Sequence, residues 1–164
     1  LTGKSPEYCG YVAGLLARYD PDRDRAFSVL EIALEEHPGS LNLNMARGGY
    51  ELADAAAGQE LNRAQVEVAL RHFELAIAIR PDFGPAYSLL AASLAMSGKF
   101  REAFAAIDRA VQKSPDSSLA WFMHADFYAR SPRKDVAIAS CRRCLEIDPD
   151  FARAQSLLER LTAK

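Results

Sequence analysis

Cys141-Arg142-Arg143-Cys144 places two thiols at the spacing used by dithiol redox centres and by one half of a zinc site. A structural zinc site needs four ligands, and the sequence holds no second pair of this kind; its third cysteine is Cys9. Both residues fall where a helical pattern wants buried positions, and a free cysteine packs as a small hydrophobe. They are therefore expected in a core. His37, His72 and His124 could serve as general bases, but no serine or cysteine stands at a recognisable spacing from any of them. Packed or hydrogen-bonded histidines are expected, and only His124 falls on an apolar helix stripe. Asp20, Asp22 and Asp24 alternate like the start of a calcium loop, yet the later glycine and the distal glutamate are missing. These acids suit a helix-start turn, with Asp22 near an N-terminus where the helix dipole favours it. No glycine-rich phosphate loop is present; Gly48-Gly49 reads as a close-contact site within a helix. No catalytic, metal-binding or cofactor-binding residue is expected, and no cofactor.

The elements that carry these residues are set out by four prolines, Pro38, Pro81, Pro115 and Pro149, of which the last three are 34 residues apart. Each closes a similar pattern: Ala26, Leu30, Ala33 before Pro38; Ala69, Phe73, Ala76 before Pro81; Ala103, Ile107, Ala110 before Pro115; Ala137, Cys141, Cys144 before Pro149. A 34-residue period is the signature of a helix-turn-helix solenoid, so an all-α fold is predicted. Between Gly84 and Pro115, Tyr87, Leu90, Ala91 and Leu94 make an amphipathic first-helix stripe. Gly98 supplies the turn, and Phe100, Ala103, Phe104, Ile107, Ala110 and Val111 form the buried face of a second helix over 100–113. In the next unit Trp121, His124, Ala125 and Tyr128 repeat the first stripe, the turn is Ser131-Pro132-Arg133, and Val136, Ala137, Cys141, Cys144 and Leu145 point inward. The interval before Pro81 is 43 residues, and its surplus is placed around Ala55 to Arg63, where Gly58 breaks the pattern. Asn62 is a candidate N-cap for the helix that follows. After Pro149, Ala154, Leu157, Leu158 and Leu161 form one stripe of a terminal capping helix. Near the other end, Tyr8, Tyr11 and Leu15 lack a preceding unit to cover them. Because the chain opens on Leu1, a longer parent chain is expected, with more protein or a partner packed there.

Trp121-x2-His124-Ala125-x2-Tyr128, followed by Ala137-x3-Cys141 and Pro149, resembles the tetratricopeptide repeat, as do Tyr87, Leu90, Ala91, Leu94, Ala103, Ile107 and Pro115. The resemblance covers about residues 6 to 164. It implies one domain over 1–164, with repeats at about 6–38, 41–81, 84–115 and 118–149 and a capping helix at 151–163. Departures from the pattern are His124 in place of leucine, Cys141 in place of a large residue, and the insertion in the second repeat. The family's first helices line a concave groove that binds an extended peptide, a helix or a domain. The resemblance then assigns the groove to first-helix positions off the core stripe: Tyr11, Leu15, Asn42, Met45, Gly49, Ser88, Ala92, Phe122 and Asp126. The family's clamp for chaperone tails needs lysine, arginine and asparagine at such sites. Tyr11, Leu15, Ser88, Ala92, Phe122 and Asp126 argue against it here. The run from Ala69 to Tyr87 is also similar to repeats in large bacterial regulators, where they follow DNA-binding, cyclase or kinase modules.

Composition narrows the function classes. Of the 164 residues 49% are apolar and 26% charged, with a net charge of −2 and the two signs interspersed. No basic stripe marks a nucleic-acid footprint, and no apolar run reaches the roughly 18 residues of a membrane span. Three cysteines make no disulfide framework, which suits a reducing cytoplasm, with the periplasm as the alternative. A non-catalytic protein-interaction module with a protein or peptide partner is expected. The alternatives are a self-associating scaffold that stacks through its uncapped first repeat, or a regulatory region of a larger bacterial signalling or transcription regulator.

Overall fold

A computed structural model of the chain describes residues 3–19, 23–57 and 60–163. Regular structure among them is α-helical throughout: α1 (Pro6–Tyr19), α2 (Arg23–Glu36), α3 (Leu41–Ala55), α4 (Arg63–Ile79), α5 (Gly84–Met96), α6 (Phe100–Lys113), α7 (Ser118–Ala129), α8 (Lys134–Ile147) and α9 (Ala152–Thr162). The aspartate turn at Asp20 to Asp22 and the pattern break at Gly58 lie outside the described residues.

The boundaries have local causes. α2, α4, α6 and α8 each end two residues before one of the four prolines, since a proline has no N–H to continue the ladder. Ser40 caps α3 by accepting from the Leu43 N–H, and Ser117 caps α7 by accepting from the Ala120 N–H. Asn62 caps α4 by accepting from the N–H groups of Ala64 and Gln65. Gly98 turns the chain between α5 and α6 at φ 77°, a conformation costly for any residue with a Cβ. The surplus before Pro81 does not sit in the connection alone. α4 has 17 residues where α6 and α8 have 14, so part of the extra sequence is an added first turn of α4. No helix among the described residues is long and apolar enough to cross a membrane.

The chain forms two compact units, Leu1–Pro81 with Ser93–Lys99, and Asp82–Ala92 with Phe100–Lys164. In the first, Cys9, Ala13, Val29, Leu30, Ala33 and Leu43 make a core shared by α1, α2 and α3. Arg47 on α3 is held there by Glu51, 2.7 Å away, and by Glu31, 3.4 Å away, with its guanidinium over the Phe27 ring. In the second unit Phe122, Ala125, Cys141, Cys144, Ala154 and Leu157 join α7, α8 and α9. Small residues at Ala125 and Ala154 let the helices approach, while Phe122 and Leu157 fill the space between them. Phe100 is a correction to the expected buried face of α6. It is 60% exposed, because it stands at the first position of the helix, a turn ahead of the buried Ala103.

Candidate partner-binding surface

The nine first-helix residues differ in how much surface they present. Tyr11 is 66% exposed and Leu15 40% exposed on α1. On α3 Asn42 is exposed, while Met45 and Gly49 are half-buried. On α5 Ala92 is half-buried, and Ser88 is 2% exposed, its hydroxyl without a hydrogen-bond partner among the described residues. On α7 Phe122 is buried and Asp126 half-buried. Ser88 thus offers solvent almost nothing, and Phe122, 7% exposed, offers little.

Phe122 and Asp126 are four residues apart and so share one face of α7. That face opens on a cleft of about 360 Å³, whose other wall is α9, with Arg153, Ser156, Leu157 and Arg160. Phe122 forms its floor, with the Phe151 ring 5.2 Å away and the Arg153 guanidinium 4.5 Å from the ring centre. The Asp126 carboxylate accepts from Arg130 at 2.9 Å. In the first unit, a wider cleft of about 650 Å³ includes Glu7, His37, Asn42 and Arg80 in its lining. Each unit thus brings sequence-expected residues to a cleft: Asn42 in one, Phe122 with Asp126 in the other.

The chemistry-bearing residues lie elsewhere. Cys9, Cys141 and Cys144 are free and buried. Burial pushes the Cys141 thiol up from its usual value, and burial together with Cys141 and Asp148 pushes Cys144 up to about 11. Both are thus poor nucleophiles. No group of three or more metal-ligating side chains occurs among the described residues.

His124 has partners that sequence spacing did not reveal. Its Nδ1 is 2.8 Å from Ser140 Oγ and its Nε2 is 3.1 Å from Asp108 Oδ1, which also accepts from the Tyr128 hydroxyl at 2.8 Å. Burial, partly opposed by Asp108, lowers the His124 pKa and keeps the ring neutral. The Asp108 carboxylate can only accept, so Nε2 carries a proton toward it, while the Ser140 hydroxyl stands 2.8 Å from both Nδ1 and the Val136 carbonyl and has one proton to share between them. This has the atoms of a serine–histidine–aspartate relay, but Ser140 is 2% exposed, and no substrate can reach its oxygen. The group fastens α7 to α6 and α8. Burial, chiefly, and then Asp108 push the Tyr128 hydroxyl up to about 12. His72 is likewise structural: its Nδ1 donates to Asn44 Oδ1 at 2.9 Å, and the Asn44 amide donates to the Pro38 and Ser40 carbonyls. Burial, then Arg47 and Arg71, lower its pKa.

Residues 84–127 match the tetratricopeptide repeat family, and the helix pairs on either side follow the same plan. Residues 84–127 thus carry a tetratricopeptide repeat. Solved structures share the fold of most of the chain. TTC0263, a thermophilic TPR protein of Thermus thermophilus, is similar over 98% of this chain and 82% of its own, with a TM-score of 0.83 at 19% identity. MamA from Desulfovibrio magneticus is similar over 90% of this chain and 77% of its own, with a TM-score of 0.68 at 20% identity. The anaphase-promoting-complex hetero-tetramer Cut9–Hcn1 contains a chain similar over 96% of this one and 30% of its own, with a TM-score of 0.75 at 14% identity. At these identities the likeness is one of fold. No protein of curated function matches the sequence. The tetratricopeptide repeat pairs a small residue with a close helix contact, which is how Ala103, Ala110, Ala125 and Ala137 are used here, each fully buried.

Proposed function

We propose that this tetratricopeptide-repeat chain is a non-catalytic interaction module that captures a segment of a partner protein on the free faces of its first helices. The observation that carries this is the cleft between α7 and α9, where Phe122 and Asp126 meet a second wall of mixed polar and charged side chains. Its floor is packed into a core and its rim is polar, the anatomy of a peptide site that is formed before its partner arrives. The exposed Tyr11 and Leu15 on α1 and Asn42 on α3 extend the capturing surface in the first unit. Against catalysis stand the burial of the Ser140–His124–Asp108 group and the raised thiols. Free buried cysteines suit a reducing compartment, the cytoplasm.

The test is selection from a displayed library of random peptides, followed by affinity measurement on single variants. Tyr11→Ala, Asn42→Ala and Asp126→Ala change exposed or half-exposed side chains, so their folds survive. Phe122→Ala is avoided because it also empties a core position. Selected peptides should lose affinity in at least one of the three variants. If no peptide is enriched over background, or none of the variants matters to those that are, the proposal fails.

A second reading has its own observation. Tyr8, Tyr11 and Leu15 are exposed together on one side of α1, and a second copy could cover them. Light scattering over a concentration series decides this, since a mass that stays that of one chain rules it out.

A further inference from the structure

We infer that the α7–α9 cleft takes an acidic, extended segment of its partner, with carboxylates bound by Arg153 and Arg160; this rests on the proposed capture of partner peptides. Two other arginines of the second unit are already neutralised about one turn away: Arg130 by Asp126 at 2.9 Å and Arg143 by Glu146 at 2.9 Å. Arg153 and Arg160 make no ion pair among the described residues. Arg160 has no acid three or four residues away on either side, its neighbours there being Ser156, Leu157, Ala163 and Lys164. Both cations line the same cleft.

Arg153 is also held in place. Its guanidinium lies over the Phe122 ring, 4.5 Å from the ring centre. Stacking uses the face of the guanidinium plane and leaves its in-plane N–H donors free for a carboxylate, which they fit as a fork. The two arginines are seven residues apart on α9, two turns, so they share a side of the helix about 10 Å apart. A polyproline-II segment repeats its side-chain direction every third residue, after about 9 Å. Acids at positions i and i+3 of such a segment meet both arginines. Asp126 on the opposite wall repels further acids and can accept backbone N–H groups, which sets the side on which the carboxylates lie. The same carboxylate argues against a nucleic acid, whose phosphates need a continuous run of cations, in a chain of net charge −2.

The test is fluorescence anisotropy with three labelled probes: a proline-framed hexapeptide with glutamates three apart, its glutamine counterpart, and an oligouridylate. The glutamate peptide should bind at least about tenfold more tightly than the glutamine peptide, the worth of one charge-assisted hydrogen bond. The double variant R153Q/R160Q should remove that advantage and leave thermal unfolding nearly unchanged, since both side chains are exposed. Equal binding of the two peptides, no binding of the glutamate peptide, or oligouridylate binding through the same arginines each overturns the inference. Peptide capture fails separately: if library selection still yields peptides sensitive to Tyr11→Ala or Asp126→Ala, capture stands and only the acidic class falls.

Discussion

Gly48 and Gly49 are neighbours on α3 under different constraints. A Cβ on Gly48 would lie 2.7 Å from Phe73 Cε1 and 2.9 Å from its Cζ, whereas one on Gly49 would meet nothing within 4 Å. Gly48→Ala should therefore destabilise the fold by about 1–3 kcal/mol through overpacking. Gly49→Ala should stabilise it by roughly 0.5–1 kcal/mol, because glycine mid-helix loses backbone entropy. Urea unfolding of the two variants checks both signs. The sequence marks the pair as a contact but cannot say which glycine touches, since that depends on how α4 rotates Phe73 toward α3. The histidines predict a pH dependence. Folded His72 and His124 both titrate below the ordinary 6.5. On acidification through about 6.5 the unfolded chain takes up protons first, so stability is full above that value and falls below it. Around His124 the facing charges are Asp108 and Arg133, and around His72 they are Arg47 and Arg71. The urea midpoint should hold steady from about pH 8 to 7 and decline below 6.5, and His124→Asn should flatten that decline. A midpoint that rises on acidification contradicts the neutral, buried rings. His124 was legible as a packed residue. Its partners were not, because Asp108 and Ser140 lie 16 residues away on either side, on two other helices.

Among the helices, α9 closes the second unit by placing Ala154 and Leu157 against Phe122, Ala125, Cys141 and Cys144. Leu157→Ala removes a buried side chain from that contact and should cost about 2–5 kcal/mol. Cys141 and Cys144 report on the same contact. In the native protein they should react with a thiol reagent only as fast as the chain opens, and Leu157→Ala should speed that labelling. Rapid labelling of the unaltered protein would instead mean that α9 does not cover them. The α9 stripe was readable because its apolar residues recur every three to four positions beyond Pro149. The added turn of α4 was harder to read, since Arg63, Ala64 and Gln65 are good helix formers on an exposed side and give no apolar signal. Phe100 misled in the other direction: its position is apolar but lies at a helix start, where it finds nothing to pack on.

For the molecule as a whole, period and proline spacing identify the fold, while the binding surface depends on which faces the packing leaves free. Tyr11, Leu15 and Asn42 are presented to solvent and Ser88 is not, a difference that first-helix register alone does not predict. Arg153 and Arg160 lie off the apolar stripe of the last helix, and their proposed role comes from the cleft they line with Phe122 and Asp126. The proposed function puts a partner segment on the first-helix side and, in the second unit, between α7 and α9. Amide hydrogen exchange with and without a library-selected peptide is the decisive measurement. Slowed exchange is expected in α7 and α9, with α6 and the far side of α8 unchanged; protection confined to α6 and α8 would contradict that placement.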